Sequence, residues 1–209
     1  MPRVSDAYLA ARRTQVLDAV RACVDRDGLQ GATMEGIIQI SGLSTGTVYK
    51  YIRSKDEGIE AAMSTALEGL TAELLPFLVA DPMPSPPEVV RQLTSTLESF
   101  SQREGFSLLR VAMHGWSAAL SNPALLEKTA PTYRAFRDLL TAAAVTWQEN
   151  GELPADADPA EVGAAVLSLL MGFAAQVALL GDTTADSQSR GFAALYGAGS
   201  TTSTGRAEP

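Results

Sequence analysis

Apolar residues recur along most of this chain at the three- and four-residue spacing of buried helix faces. Val16, Leu17, Val20 and Val24 form one such stripe and predict a first helix over about 6–27, stopped at Gly28-Leu29 by a glycine suited to a left-handed cap. Thr33 can cap a second helix over about 33–40, with Glu35 in its first turn and Ile37, Ile38 and Ile40 on its apolar face. Ser41-Gly42 breaks that helix. Ser44 can cap a third over about 45–52, where Val48 and Ile52 are spaced to face inward and Thr45, Thr47, Tyr49 and Lys50 are left outward. Ser54-Lys55-Asp56-Glu57 is a capping box that opens a fourth helix over about 55–75, through Ile59, Met63, Leu67, Leu70 and Leu74.

Residues 80–87, ADPMPSPP, interrupt the pattern. Ser85 and Glu88 make a second capping box, with Pro86 and Pro87 in the first turn of a fifth helix that reaches about 102 through Val89, Leu93, Leu97 and Phe100. A sixth helix spans about 105–120. A seventh starts at Asn122-Pro123 and ends before Gly151, and Pro131 inside it should kink it or split off a short first piece. Asp158-Pro159-Ala160-Glu161 starts an eighth helix with a cap, an N1 proline and an N3 acid. From Val162 to Leu180 that helix carries no charge. It is long enough to span a bilayer, but its Ala, Gly, Ser168 and Gln176 content and the lack of flanking basic or aromatic anchors fit a helix buried on several sides, against core and a partner subunit. Residues 186–196 can form a last short helix, and 197–209 read as a flexible tail.

The 209 residues, 46 % hydrophobic and 19 % charged, suit a packed globular protein, and a composition led by Ala and Leu leans all-α. A net charge of −8 taken whole argues against a nucleic-acid partner. Its distribution argues otherwise: residues 1–55 hold eight basic and five acidic side chains, for +3, whereas the remainder holds eight and nineteen, for −11. The single cysteine, Cys23, excludes an intramolecular disulfide and fits a core position. The N-terminus lacks the apolar core of a signal peptide, so the cytoplasm is the expected location.

Two short helices joined by a tight turn over about 32–51 match a helix–turn–helix, whose second helix enters the major groove. Ser44, Thr45, Gly46 and Thr47 are small enough for the backbone to approach closely, and their hydroxyls and free amides can bind phosphate or base edges. Tyr49 and Lys50 reach further. Lys55 opposes the dipole of the helix it begins, an objection that a nearby phosphate would remove. Arg12 and Arg13 lie beside the first stripe, as further contacts or as solvated surface.

Residues 9–57 resemble the DNA-binding region of the tetracycline-repressor (TetR) family of bacterial regulators. The matching residues are Val16-Leu17-Asp18-Ala19, Gly28, Thr33-Met34, Ile37, Ser41-Gly42-Leu43-Ser44, Gly46-Thr47-Val48-Tyr49-Lys50-Tyr51 and Ser54-Lys55-Asp56-Glu57. The family commonly has Ala where Ile38 and Ser41 stand, Phe at Tyr51 and Leu at Gly58. With Gly36 inside the second helix, at about 1 kcal/mol against Ala, these departures suggest a looser second helix. The resemblance implies phosphate contacts from Thr33, Tyr49 and Lys55, and contacts to bases or the adjoining backbone from Ser44, Thr45, Thr47 and Lys50.

The fold expected is all-α: a helix–turn–helix domain over 1–54 joined by the fourth helix to an effector-binding and dimerisation domain over 55–196. The eighth helix resembles the family helix that pairs across a two-fold axis, which implies a homodimer interface through Val166, Leu169, Leu170, Phe173, Gln176, Val177 and Leu180. An effector held between helices four to eight would meet Phe77, Phe100, Phe106, Leu109, Met113, His114, Trp116, Tyr133, Phe136, Trp147 or Phe173. Each of these is also an ordinary core candidate, and the set suits an apolar or aromatic ligand with few polar anchors, Gln148 and Gln176 being undecided. No nucleophile–base pair, metal-ligand cluster or phosphate loop is present, so neither catalysis, nor a metal, nor a cofactor is expected. The reading is a DNA-binding repressor released from a palindromic operator by a small molecule. The alternative is a helical small-molecule-binding or interaction protein without tight specific DNA binding.

Overall fold

The computed structural model describes residues 6–101 and 106–200, without the side chains of Phe100 and of residues 198–200. Every regular element among them is an α-helix: α1 Asp6–Gly31, α2 Met34–Ser41, α3 Thr45–Val48, α4 Lys55–Leu78, α5 Pro86–Ser101, α6 Leu108–Ser121, α7 Pro123–Glu149, α8 Pro159–Leu179 and α9 Ala185–Ser200. Contacts group these residues into two units, 1–69 with 100–130 and 70–99 with 131–209. Residues 1–54 lie wholly in the first.

Local signals start most helices. The Thr33 hydroxyl accepts from the Gly36 amide at 3.0 Å, Ser44 from Thr47 at 3.3 Å, Ser54 from Glu57 at 3.2 Å and Asp158 from Ala160 at 2.8 Å. Four expectations need correction. The first helix does break at Gly28 (φ 71, ψ 174), a backbone open to glycine, but it resumes for another turn to Gly31. α3 is a single α-helical turn, after which hydrogen bonds from the Lys50, Tyr51 and Ile52 amides tighten the backbone through Ile52. Pro131 does not split α7: it and Glu127, whose carbonyl loses its partner, are both exposed, so water can satisfy that oxygen. The last helix runs on to Ser200, and residues 201–209 of the expected tail lie outside the described residues.

The core of the first unit is built on α1. Val16, Leu17, Ala19, Val20, Cys23 and Val24 are buried with Ile37, Val48, Ile52, Ile59, Ala62, Phe106 and Val111. Arg21 lies among them, 8 % exposed, its Nε and Nη2 donating to the Ala62 carbonyl of α4 at 3.1 and 3.0 Å and its Nη1 to Asp18. Gly36 lies where α2 packs on α1. A Cβ there would stand 3.1 Å from the Cys23 sulfur and 3.3 Å from Thr33 Oγ1, tight contacts that the glycine avoids. Burial pushes the Cys23 thiol above its ordinary pKa, which makes it an inert core residue.

In the second unit Leu74, Leu78, Val89, Val90, Leu93, Phe136, Leu140, Ala144, Trp147, Val166, Leu170 and Phe173 are buried. The Glu88 carboxylate, expected to close a capping box, instead accepts from Arg91 and Gln92, and Arg91 holds it below the usual carboxylate range. Gln148 donates from its amide to the carbonyls of Pro154, Ala155 and Ala157 at 2.9–3.1 Å, tying down the loop before α8. A Cβ at Gly163 would meet Thr141 Oγ1 at 2.6 Å and the Thr141 backbone nitrogen at 2.8 Å, so α8 and α7 touch through backbone here. At Gly115 a Cβ would meet only the far end of the Met63 side chain. Urea denaturation should therefore show Gly163→Ala destabilised by about 2 kcal/mol or more, and Gly115→Ala by less, because the flexible methionine can swing aside.

Candidate nucleic-acid interface

The turn between α2 and α3 puts Gly42 in the left-handed region (φ 65, ψ 14), with its amide bonded to the Gln39 carbonyl. It leads into Ser44, whose hydroxyl caps the Thr47 amide and lies 2.8 Å from Thr47 Oγ1. Val48 is the fully buried residue of α3. Around that single anchor Ser44, Thr45, Gly46, Tyr49 and Lys50 are exposed and Thr47 is half-buried, so the structure presents these six residues together on one surface segment. Tyr49 is 47 % exposed, an aromatic ring left in water at the C-terminal end of α3. Thr33 is exposed at the N-terminus of α2, where the free amides of the first turn favour an anion.

Lys55 has a protein partner as well as a candidate DNA role. Its ammonium donates to the Leu29 carbonyl, past the Gly28 break in α1, at 3.2 Å. The unfavourable dipole at the start of α4 is thus offset by a carbonyl at the end of another helix, before any phosphate is present. The Ser54 box is also shifted by one residue: Glu57 accepts from the Arg53 amide at 2.8 Å. Sequence reasoning missed Gln15 and Ser41. The Gln15 amide donates to the Ser41 carbonyl at 2.8 Å, and the Ser41 hydroxyl donates to Ile38 O and accepts from the Leu43 amide. The signal available was the serine itself, at a position where alanine was expected.

The effector candidates fall in different environments. Phe106 and Leu109 are buried in the first unit, Phe106 in the α1-centred core. Met113, His114 and Trp116 on α6 are half-buried, and the His114 ring would lie 3.6 Å from a Cβ at Gly28 of α1. In the second unit Phe136 is buried, Trp147 and Phe173 are fully so, Phe77 and Tyr133 half-buried. The Trp147 indole N–H donates to the Pro84 carbonyl at 2.8 Å and anchors the proline-rich segment. The Phe100 side chain lies outside the described residues. Of the interface candidates on α8, Val166, Leu170 and Phe173 face the chain's own interior. Gln176 and Leu180 are exposed and Leu169 and Val177 half-buried, and Ala165, Ser168 and Leu179 are exposed as well. α8 is long and apolar enough to cross a membrane, with 28 % of its apolar window buried within the chain.

Residues 86–196 match the family model described as the C-terminal domain of BetI-type transcriptional repressors. The chain belongs to the TetR family. It is 30 % identical over 125 residues to the HTH-type transcriptional regulator BetI of Paraburkholderia phymatum, a match spanning 60 % of this chain and 62 % of that one. Among solved structures, a transcriptional regulator from Pseudomonas aeruginosa PAO1 shares the fold with a TM-score of 0.72 at 20 % identity, over 94 % of this chain and 92 % of that one. A regulator from Saccharomonospora viridis solved with choline gives a TM-score of 0.67 at 19 % identity, over 87 % and 93 %. The matched stretches span less than two thirds of the curated relatives, and the fold is the all-helical fold of TetR-family structures.

Two substitutions separate cap from core. Ser44→Ala should cost about 1 kcal/mol in denaturant unfolding by removing the hydroxyl that meets both the Thr47 amide and Thr47 Oγ1. Trp147→Phe should cost about 1–3 kcal/mol, because it leaves the Pro84 carbonyl without its donor.

Proposed function

We propose that this TetR-family chain acts in the cytoplasm as a homodimer that represses nearby genes from a pseudo-palindromic operator, and that a small-molecule effector releases it. The observation that carries the reading is the segment Ser44–Lys50, which is held by one buried valine and a serine cap and leaves its hydroxyls, its Tyr49 ring and its Lys50 ammonium outward. Ser44, Thr45, Gly46, Thr47, Tyr49 and Lys50 enter the major groove, and Thr33 and Lys55 take flanking phosphates. Two copies reach successive grooves about 34 Å apart. Exposed Gln176 and Leu180 and half-buried Leu169 and Val177, in the uncharged run Val162–Leu180, support pairing of two chains. Residues 1–54 form the DNA-binding domain and 55–196 the effector and dimerisation domain, with no catalytic role.

Met113, His114, Trp116 and Tyr133 are the half-buried aromatic or polarisable members of the effector set described here, besides Phe77. Aromatic faces take apolar bodies and also cations. The choline in the S. viridis regulator makes a quaternary ammonium the first probe, beside apolar aromatics. The net charge of −8 favours a second reading, a helical small-molecule-binding protein without specific DNA binding.

Selection of duplexes from a random pool, followed by binding across a salt series, tests the proposal. The expected result is a palindromic duplex, bound by a dimer in sedimentation, with Tyr49→Ala and Lys50→Ala each weakening it about tenfold or more. Enrichment of no sequence, or indifference to both substitutions, would favour the second reading. Choline should lower operator affinity in the same assay if the effector is a quaternary ammonium.

A further inference from the structure

We propose that Gln15 is a positioning residue for the recognition helix α3, oriented by Arg12, and that it sets how well the chain distinguishes its operator from other DNA. The inference rests on the DNA-binding reading above. Gln15 sits on α1 just before the buried stripe that starts at Val16, and both ends of its amide are used. Nε2 donates to the Ser41 carbonyl at 2.8 Å, and Oε1 accepts from Arg12 Nη1 at 2.6 Å. The guanidinium of Arg12 lies over the Tyr8 ring, 5.0 Å from its centre. An acceptor wanted on one side and a donor on the other leave the amide one orientation.

Ser41 is the last residue of α2, where helix carbonyls lack intrahelical partners. Its carbonyl is taken by Gln15, and its hydroxyl bridges the Ile38 carbonyl (2.8 Å) and the Leu43 amide (3.2 Å). Three side-chain hydrogen bonds therefore converge on the turn that sets the angle between α2 and α3. The turn needs them: α3 is one α-helical turn long and Val48 is its one buried side chain, so packing alone holds it weakly. Phosphate contacts tolerate a tilt of that helix, whereas base-edge contacts do not. Loosening the turn should thus reduce specific binding and spare binding to DNA at large.

The test uses the full chain with Gln15→Met, which keeps length but removes both polar ends, Gln15→Glu, which keeps the Arg12 partner but has no donor for Ser41, Arg12→Met, and the Gln15→Met/Arg12→Met double variant. The probes are the duplex selected by the unaltered chain and a scrambled duplex of the same length, each across a salt series. Both Gln15 variants should lose about tenfold on the selected duplex and keep scrambled-duplex affinity and salt slope. The double variant should be no weaker than Gln15→Met alone. Amide exchange of Gly42 and Leu43 should accelerate in both Gln15 variants without DNA. Gln15→Glu binding like the unaltered chain, equal loss on both duplexes, or unchanged exchange would overturn the proposal. A salt slope reduced by about one in Arg12→Met would make Arg12 a phosphate contact in its own right and overturn its orienting role. If the unaltered chain selects no duplex, the DNA reading fails, while the exchange measurement still decides whether Gln15 holds the turn.

Discussion

A buried guanidinium ties α1 to α4, and α2 and α6 are braced on the same stretch of α1. Arg21 reaches across with two bonds that converge on the Ala62 carbonyl and neutralises its charge against Asp18 on its own helix. A cation taken out of water is tolerated only with such partners, so the register of the two helices is specified more narrowly than apolar packing would specify it. Around the same stretch of α1 lie α2, through the Cys23–Gly36 contact, and α6, through the Arg110–Asp25 ion pair at 3.1 Å. α3 touches this assembly by Val48 and by the turn before it. The helix that would read DNA is therefore the least self-supporting part of a well-braced unit.

What was legible in the sequence was local. Thr33, Ser44, Ser54 and Asp158 cap the helices they were expected to cap, because a cap involves residues two or three apart. Apolar spacing located the helices for a similar reason. The missed polar bonds between elements involve distance. Gln15 to Ser41 spans 26 residues, Arg21 to Ala62 spans 41 and Trp147 to Pro84 spans 63, and no periodicity encodes a polar bond between elements. Gly36 and Ser41 illustrate the same limit. As departures from a family pattern they suggested looseness, whereas one lies where α2 packs on α1 and the other adds bonds to a turn. For Ser44–Lys50, exposure agrees with the outward positions read from spacing. For the effector set, residue type could not separate a ring with a structural duty, as at Trp147, from half-buried ones such as Trp116.

The two ends of this architecture are specified by different physics. The surface at Ser44–Lys50 depends on small polar groups staying out of the core, and therefore on capping and turn geometry. The open face of α8 depends on an uncharged run whose interior side, Val166, Leu170 and Phe173, is satisfied within the chain.

Lys55 has a consequence of its own. A lysine side chain free in water samples many rotamers, and pinning it costs up to about 2 kcal/mol of conformational entropy. Here the bond to the Leu29 carbonyl has already narrowed that freedom during folding. An ammonium carries three donors, and one bond to a carbonyl leaves two for another acceptor. A phosphate arriving at the start of α4 would meet a cation already ordered, so little of that entropy would remain to be lost in the encounter.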